Sequence, residues 1–492
     1  MSDLSYVRSE MLEQRDPPPS TTGVIGWIRE NLFAGWMNSI LTVLSLAFLY
    51  YVLSNFLPWF WSPTWNATSL EQCRDFVTEA AYGGACWGVI RDRWVQMLFG
   101  FYPSELYWRP ILAFVLLFVA LIPVLFSMIS RRANWFALAA VLFIATIFAP
   151  ASAVIWGLRL VMAAATLWLG YMLMATGGED RAEQIKQGAK RLPNPLLFSG
   201  LYLFVMPWLL WGGSFWTPVG AALGFVIGWA VLRYLTPVLG TIATTILAVV
   251  AAVLWWLFAT GLFSAGMHAI LPFGLEEVVS RKFGGLMLSI TIGVTAIVMS
   301  LPLGIMLALG RQSDLLIVKW MSVGFIEFIR GVPLITLLFV ASLLLNIFLP
   351  PGTDFDIILR VIIMATLFSA AYIAEVVRGG LAALPRGQYE AADALGLDYW
   401  KAQRLIIMPQ ALKISIPGIV STFIGLFKDT TLVSVIGLLD PVGLSNAIRA
   451  NAEWNGVVWE LYGFIAFLFF IFTFSMARYA MYLERRLRTD HR

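Results

Sequence analysis

Residues Ser369–Asp440 read SAAYIAEVVRGGLAALPRGQYEAADALGLDYWKAQRLIIMPQALKISIPGIVSTFIGLFKDTTLVSVIGLLD, and this stretch decides the fold. One apolar run ends near Val377, a segment too polar to remain in lipid follows, and a second apolar run begins near Ile414. A helix needs roughly 20 apolar residues to cross a bilayer core. The pattern therefore predicts two membrane spans joined by a long polar loop at one membrane surface.

The polar loop carries the local signals of a helix-turn-helix. Residues Gln388–Leu395 can form about two helical turns, and Gly396 suits the left-handed conformation that follows a helix end. Asp398 can cap a second short helix, which we expect Pro409 to terminate. The small side chains of Ala391–Ala392 would let another protein dock closely on the first helix.

The composition of the whole chain indicates a membrane protein. Of its 492 residues 60% are hydrophobic and only 13% are charged, and the mean hydropathy is +0.80. Soluble proteins carry about 25% charged residues, and no soluble core could bury this much apolar surface. The net charge of +4 lies mostly in short loops, so we interpret it as a topology signal and not as a nucleic-acid surface.

Apolar runs predict about twelve membrane spans and hence an all-α polytopic membrane protein. The predicted centres lie near Leu46, Leu117, Leu142, Ala165, Phe204, Phe225, Ala251, Ile297, Leu338, Met364, Ile424 and Phe469. Seven of these centres precede residue 281 and five follow it. No convincing internal repeat relates the two parts, so an inverted-repeat carrier is not indicated.

Lys and Arg in short loops place both termini in the cytoplasm, because inner loops carry more positive charge. We therefore predict a cytoplasmic tail at 1–30, an N-terminal membrane region at 31–280, a C-terminal core at 281–484 and a second tail at 485–492. An external loop covers about residues 60–110. Its arginines conflict with the charge rule, but the rule is weak for a loop of this length; they are Arg74, Arg91, Arg93 and Arg109.

The two cysteines, Cys73 and Cys86, both lie in the predicted external loop. Oxidation is permitted outside the cytoplasm, so we predict a disulfide between them, with two free buried thiols as the alternative. His268 and His491 are the only histidines, and no Cys/His cluster of the zinc type occurs. We therefore expect no metal site.

The polar loop also resembles a known motif. The motif consists of Glu390-Ala391-Ala392, Gly396 and the Met408-Pro409 pair. It is similar to the EAA loop of ABC importer permeases, which ends in Leu-Pro. Met in place of Leu keeps the volume. The resemblance implies that the loop at about 386–410 is a coupling loop that contacts an ATPase subunit, and that residues 281–484 form a five-helix permease core.

Three further segments resemble polar amino acid permeases: Phe328–Leu334, Tyr372–Gly380 and Lys428–Ser434. The external segment Arg91–Pro110 is similar to the general L-amino acid permease branch, whose systems handle glutamate, glutamine, aspartate and others. Typical members are shorter, so this chain has extra spans between Ala133 and Gly284. The resemblance implies import of polar amino acids across a bacterial inner membrane, from periplasm to cytoplasm.

The same resemblance implies partners for this chain. No G-x-x-x-x-G-K-[ST] phosphate loop occurs, and the chain has no Gly-Lys dipeptide at all. ATP and Mg²⁺ would thus bind a separate ABC ATPase dimer, so this chain is not itself an enzyme and needs no cofactor. A periplasmic amino acid binding protein would deliver substrate, and a second homologous permease subunit would complete a heterodimer; a homodimer stays open.

Two clusters are candidates for the substrate path. Tyr372, Glu375 and Arg378 are spaced three apart and share one helix face, either as an interfacial ion pair or as part of the path. The second cluster comprises Lys428, Asp429, Thr430 and Thr431. It either supplies both charge signs, as a zwitterionic amino acid requires, or is a break in the apolar run whose polar groups are hydrogen-bonded within the chain.

Two other classes of protein remain as alternatives. An ion-coupled secondary amino acid transporter would need ionisable residues buried in mid-span, and it gives no reason for the EAA loop. An intramembrane enzyme or scaffold would need a catalytic pair or a metal site in the spans, which His268 alone does not supply. ATP dependence of uptake separates the first alternative from an ABC importer.

Overall fold

The computed structural model describes residues 23–62, 64–79, 84–126, 129–148, 153–174, 193–344 and 356–487. These residues are overwhelmingly helical, as the apolar runs predict. The helices are α1 (Gly23–Asn31), α2 (Trp36–Phe60), α3 (Leu70–Glu79), α4 (Gly88–Phe99), α5 (Trp108–Leu125), α6 (Arg131–Phe148), α7 (Ala153–Met174), α8 (Leu196–Trp211), α9 (Trp216–Leu239), α10 (Thr241–Leu254), α11 (Thr260–Ile270), α12 (Gly285–Gln312), α13 (Leu316–Gly331), α14 (Leu334–Phe339), α15 (Ile357–Ala382), α16 (Arg386–Ala394), α17 (Tyr399–Ala402), α18 (Met408–Asp429), α19 (Pro441–Arg449) and α20 (Trp459–Leu487).

All twelve predicted centres lie on these helices, which confirms the all-α polytopic fold. Within the described residues, eight helical segments are long and apolar enough to cross a membrane, or nine if one bent pair is a single span. The bent pair is α13 with α14, which meet at 102°. Pro333 stands at the bend, and the residue before a proline is pushed out of the helical conformation.

The first compact unit contains the described residues up to Asp92 together with Arg449–Leu461. Cys73 and Cys86 are joined by a disulfide, with their Cα atoms 5.7 Å apart. Next to it, the Glu460 carboxylate accepts a hydrogen bond of 2.8 Å from the backbone N–H of Cys86. Two segments far apart in sequence, around Cys86 and Glu460, therefore meet beside this disulfide.

The second unit contains Arg93–Ile448 and the rest of α20. Helix α5 packs against both α6 and α8, α8 packs against α9, and α9 packs against α10 and α11. A short antiparallel pair joins β1 (Gly213–Ser214) to β2 (Gly274–Leu275). Arg109 is buried in this unit and donates a 2.5 Å hydrogen bond to the carbonyl of Glu276. Arg109 thus ties the start of α5 to the segment that follows β2.

The centre of the second unit is α15, which packs against α12, α13 and α18. Glycines permit this close approach. A Cβ added at Gly304 of α12 would lie 2.6 Å from Cγ2 of Ile373, and one added at Gly418 of α18 would lie 2.7 Å from Cγ1 of Val376. A Cβ at Gly380 would overlap Ser415 and lie 2.5 Å from the carbonyl oxygen of Ala411. Small residues at helix interfaces let backbones approach closely inside membranes.

The contact at Gly380 generates a prediction with a neighbouring control. Gly380→Ala should lower the free energy of unfolding by about 1–3 kcal/mol, because the new methyl group meets the α18 backbone. Gly379→Ala should be neutral or slightly stabilising, because no atom lies within 4 Å of the new Cβ. Thermal unfolding of both purified variants checks this, and equal unfolding temperatures would contradict it.

Candidate coupling loop and substrate path

The first helix of the polar loop, α16, begins after Pro385 and ends at Gly396, which has φ +67°. The N–H of Gly396 bonds the carbonyl of Asp393 at 2.9 Å, and the N–H of Leu397 bonds that of Ala392 at 3.2 Å. This pair of hydrogen bonds is a Schellman motif, in which a left-handed residue closes the helix end. The loop sequence therefore specifies this turn as predicted.

Asp398 caps the next helix, also as predicted. Its side chain accepts a 2.8 Å hydrogen bond from the backbone N–H of Lys401, and the Lys401 ammonium lies 3.1 Å away. The backbone N–H and then the ammonium hold the pKa of Asp398 below its usual value. An ionised carboxylate at this cap fixes the direction in which the chain leaves the turn.

The predicted role of Pro409 is wrong. Helix α17 continues through a π-helical turn, Gln403–Ile407, directly into α18, and Pro409 stands in the first turn of α18. Pro409 lacks the N–H that would continue the helical hydrogen bonds, and the π-helical turn directly before it is where the regular pattern is interrupted. The loop and the span after it therefore form one continuous helical element, which can transmit a displacement along its axis.

The EAA residues divide between two faces of α16. Glu390 and Ala391 are exposed, whereas Ala392 is only 1% exposed. The expectation that both alanines receive a partner is therefore corrected: Ala392 packs inside this chain. Sequence reasoning also missed a set of apolar side chains that the loop exposes, namely Leu395, Tyr399, Trp400 and Leu405. In the sequence, the signal for this exposed set is the presence of apolar residues within an otherwise polar segment.

The loop is anchored to the helices beneath it. The Gln410 amide donates a 2.9 Å hydrogen bond to Gln388, which ties the start of α18 to α16. Tyr389 and Ile407 pack against a core that includes Ile373 and Val377 of α15, and burial raises the pKa of Tyr389. The loop is therefore anchored to the central helix through Tyr389 and Ile407 and to α18 through Gln388.

Glu375 of α15 lies close to this loop, at the centre of a charged cluster. Its carboxylate accepts a 2.8 Å hydrogen bond from Nε of Arg378 and a 3.2 Å bond from Arg311 of α12. Arg330 of α13 is 3.8 Å away, and Glu327 pairs with Arg311 at 2.9 Å. Three guanidinium groups thus share one carboxylate, which links three helices.

Tyr372 contributes a ring to the same cluster. The Arg330 guanidinium lies 5.6 Å from its ring centroid, an arrangement typical of a cation–π contact. Nε of Arg330 is buried and has no hydrogen-bond partner among the described residues. These contacts agree with the ion-pair interpretation. The three arginines and two glutamates together carry a net charge of +1, so the cluster can also attract an anionic group.

The second cluster lies elsewhere. Thr430 and Thr431 donate their hydroxyl hydrogens to helix carbonyls, at 2.7 Å to Phe427 and 2.9 Å to Lys428. Lys428 is exposed and Asp429 is partly buried, where α18 gives way to the 3₁₀ segment Thr430–Ile436. The threonines therefore end the α-helix, and the charged pair is the part of this cluster that can meet a substrate.

The structure does not bring the two clusters together. Met408 begins α18 beside the coupling loop, and Lys428 lies twenty residues further along that helix, about 30 Å at 1.5 Å per residue. Glu375 lies near the loop end of α15. The candidate residues thus mark opposite ends of the core rather than one contiguous site.

Sequence reasoning also missed Asp440, a fully buried carboxyl group beyond the second cluster. It accepts hydrogen bonds from the N–H groups of Val442 at 3.1 Å and Gly443 at 3.0 Å, where α19 begins. Burial raises the pKa of Asp440 to about 6. No group of three His, Cys, Asp or Glu residues in the described part of the chain could hold a metal ion.

A bundle of apolar spans with an anchored polar loop defines the class of this protein, a polytopic helical membrane protein. Residues 300–489 match the family described as binding-protein-dependent transport system inner membrane component. The glutamate/glutamine/aspartate/asparagine transport system permease protein BztC of Rhodobacter capsulatus is 52% identical over 497 residues, covering 100% of both chains. The inner membrane amino-acid ABC transporter permease protein YhdY of Escherichia coli K12 is 34% identical over 94% of this chain and 93% of its own.

A shorter relative matches less than half of this chain. We call residues 31–280 the extension and residues 281–484 the permease core. The glutamate/aspartate import permease protein GltK of Escherichia coli O157:H7 is 34% identical, over 91% of its own length but 41% of this chain. The chain belongs to the family of binding-protein-dependent transport system inner membrane components. The resemblance noted from the sequence is therefore confirmed: this is a multi-pass inner-membrane component of a bacterial ABC transport system that includes an ATPase.

The charged cluster generates a stability prediction. Glu375→Gln should lower the free energy of unfolding by roughly 1–3 kcal/mol, because partly buried guanidinium groups lose the carboxylate they share. Glu327→Gln is the matched control, since Glu327 is 54% exposed and its ion pair among the described residues is with Arg311. We expect little change for it. Thermal unfolding of the purified variants checks this prediction. An equal loss of stability in both variants would show that Glu375 does not hold the three helices together.

Proposed function

We propose that the chain is the membrane-spanning permease subunit of an ATP-driven amino acid importer and that the loop at 386–410 couples it to the ATPase. The observation that carries this proposal is the surface of the loop, which exposes Glu390 on α16 together with the apolar side chains of Leu395 and Trp400. A charged residue among exposed apolar side chains is the composition of a docking surface. The loop is anchored to α15 and α18, so a force applied there reaches the bundle.

The orientation follows from the coupling role. The loop, and with it both termini, would face the cytoplasm, where ATP is available. The disulfide-bonded segment around Cys73 and Cys86 would then face the periplasm, where disulfides persist. A periplasmic binding protein would deliver substrate at that side, and a homologous permease subunit would complete the pathway as a heterodimer. ATP and Mg²⁺ would be bound by the ATPase subunits alone.

The substrates that we propose are acidic amino acids and their amides. This rests on the names of the relatives, which transport glutamate, glutamine, aspartate and asparagine. The two charged clusters suit such substrates. Lys428 and Asp429 offer both signs to a zwitterion at one end of the core, and the arginines around Glu375 offer a net positive charge at the other.

Reconstitution tests this function. The chain, its ATPase, the homologous permease and the binding protein would be assembled in proteoliposomes with labelled glutamate outside and ATP inside. We expect uptake that requires both ATP and the binding protein and that survives collapse of the proton and sodium gradients. Uptake that continues without ATP and stops when those gradients collapse would show an ion-coupled transporter instead.

The coupling role makes a prediction at Glu390. Glu390→Lys should weaken the docking of the ATPase by about 2 kcal/mol, because reversing a charge inside an interface places like charges together or leaves a partner unpaired. Uptake and substrate-stimulated ATP hydrolysis should fall together while the chain stays in the membrane. Glu105→Lys makes the same charge change at an exposed position outside the loop and should leave both activities unchanged.

A second pair of variants separates docking from loop shape. Gly396→Asp forces a side chain into a backbone with φ +67°, which costs roughly 1 kcal/mol or more and redirects α16. Gly387→Asp adds the same carboxylate to the same helix without that strain. We expect that only Gly396→Asp uncouples ATP hydrolysis from amino acid uptake. Normal transport by both Glu390→Lys and Gly396→Asp would show that this loop is not the coupling element.

A further inference from the structure

A large cavity lies where the extension meets the permease core, within the second unit. Its volume is about 1290 Å³, and its walls come from α8, α9, the linker after β2, the start of α15 and the residues that follow the 3₁₀ segment Thr430–Ile436. Pockets for small metabolites usually measure about 300–1,000 Å³. The space is therefore larger than a single amino acid needs.

The cavity lies at the level of one membrane surface. Helix α8 ends here at Trp211, and the apolar segments α9, α12 and α15 all begin here. Two tryptophans, Trp208 and Trp211, line the wall. Tryptophan is enriched at the depth of lipid headgroups, because its ring is apolar and its N–H is polar. The cavity thus opens where headgroups lie.

The lining is polar at one end and apolar along its depth. Glu277 and Arg281 line the cavity and are exposed, and neither forms an ion pair or a side-chain hydrogen bond with a described residue. Asp356 is already occupied, since it accepts from Ser280 and caps α15 at Ile358 with a 2.9 Å bond. Arg360 also lines the cavity, but it is bonded to a backbone carbonyl. Glu277 and Arg281 therefore remain as the charged groups at which a ligand can bind.

The apolar wall follows α8 inward. It runs from Trp211 through Pro207 to Leu203, a depth of about 12 Å at 1.5 Å per residue, and Ala221 of α9 faces the same space. A free amino acid at Glu277 and Arg281 would leave this wall uncovered. A chain of methylene groups would cover it, and each buried CH₂ contributes favourably to binding. The occupant should therefore be amphipathic.

We propose that this cavity binds a phospholipid with a zwitterionic headgroup, which holds its phosphate at Arg281, its amine at Glu277 and an acyl chain along α8. Phosphate pairs well with a guanidinium group, and an ammonium group pairs with a carboxylate. The lipid joins the extension to the permease core. An anionic lipid without an amine satisfies Arg281 and leaves Glu277 facing like charge.

Native mass spectrometry of the intact detergent-purified complex tests the proposal, with phosphatidylethanolamine and phosphatidylglycerol as probes of equal chain length. We expect one tightly held phosphatidylethanolamine, bound about tenfold more tightly than phosphatidylglycerol. Arg281→Gln should abolish this retention. Lys282→Gln is the matched control, because it removes the same charge from the next residue, which does not line the cavity. Glu277→Gln should remove the preference for the amine headgroup.

A further variant tests the acyl chain. Ala221→Phe fills the apolar wall without changing charge and should reduce retention of the lipid as much as Arg281→Gln. The proposal is overturned if phosphatidylglycerol binds equally well, or if Lys282→Gln loses as much lipid as Arg281→Gln. It is also overturned if millimolar free glutamate displaces the lipid, because the cavity would then be an amino acid site.

Discussion

The close approach of α15 to α12 and α18 is the constraint on which the rest of the core depends. Inside a bilayer the hydrophobic effect does not hold helices together, so packing between their surfaces must. Gly304, Gly380 and Gly418 remove the side chains that would separate these backbones. The helices can then meet along most of their length, and α15 leads straight into the coupling loop while its neighbours hold it on two sides.

This packing explains why the charged cluster can lie where it does. Glu375 brings α12, α13 and α15 together through three arginines only because those helices already meet near the loop end. Each guanidinium would be costly to leave without a carboxylate in a partly buried position. The cluster therefore restrains α13 relative to α15 just before the chain enters α16. A movement imposed on α16 must either carry all three helices together or break these ion pairs.

Much of this arrangement could be predicted from the sequence, and the exceptions have physical reasons. The span centres, the turn at Gly396 and the cap at Asp398 depend on local signals, namely apolar length, backbone freedom and a capping side chain. The prediction that Pro409 ends a helix was wrong because the sequence alone does not distinguish a proline in the first turn of a helix from one that follows its end. The roles of Arg311 and Ala392 depend on which distant residues pack against them, and spacing along one helix carries no such information.

The separation of the two candidate clusters has a consequence for transport. Helices α14, α15 and α18 contribute buried apolar side chains such as Leu338, Val361 and Leu426 to the core, and these offer a zwitterion no polar partner. A substrate held near Lys428 and Asp429 would therefore meet a barrier before it could reach the arginines around Glu375. Passage requires the helices that carry these apolar residues to separate. Because α15 and α18 carry Val361 and Leu426 and are also joined through the loop at 386–410, the proposed coupling at that loop would act on the same helices that must move.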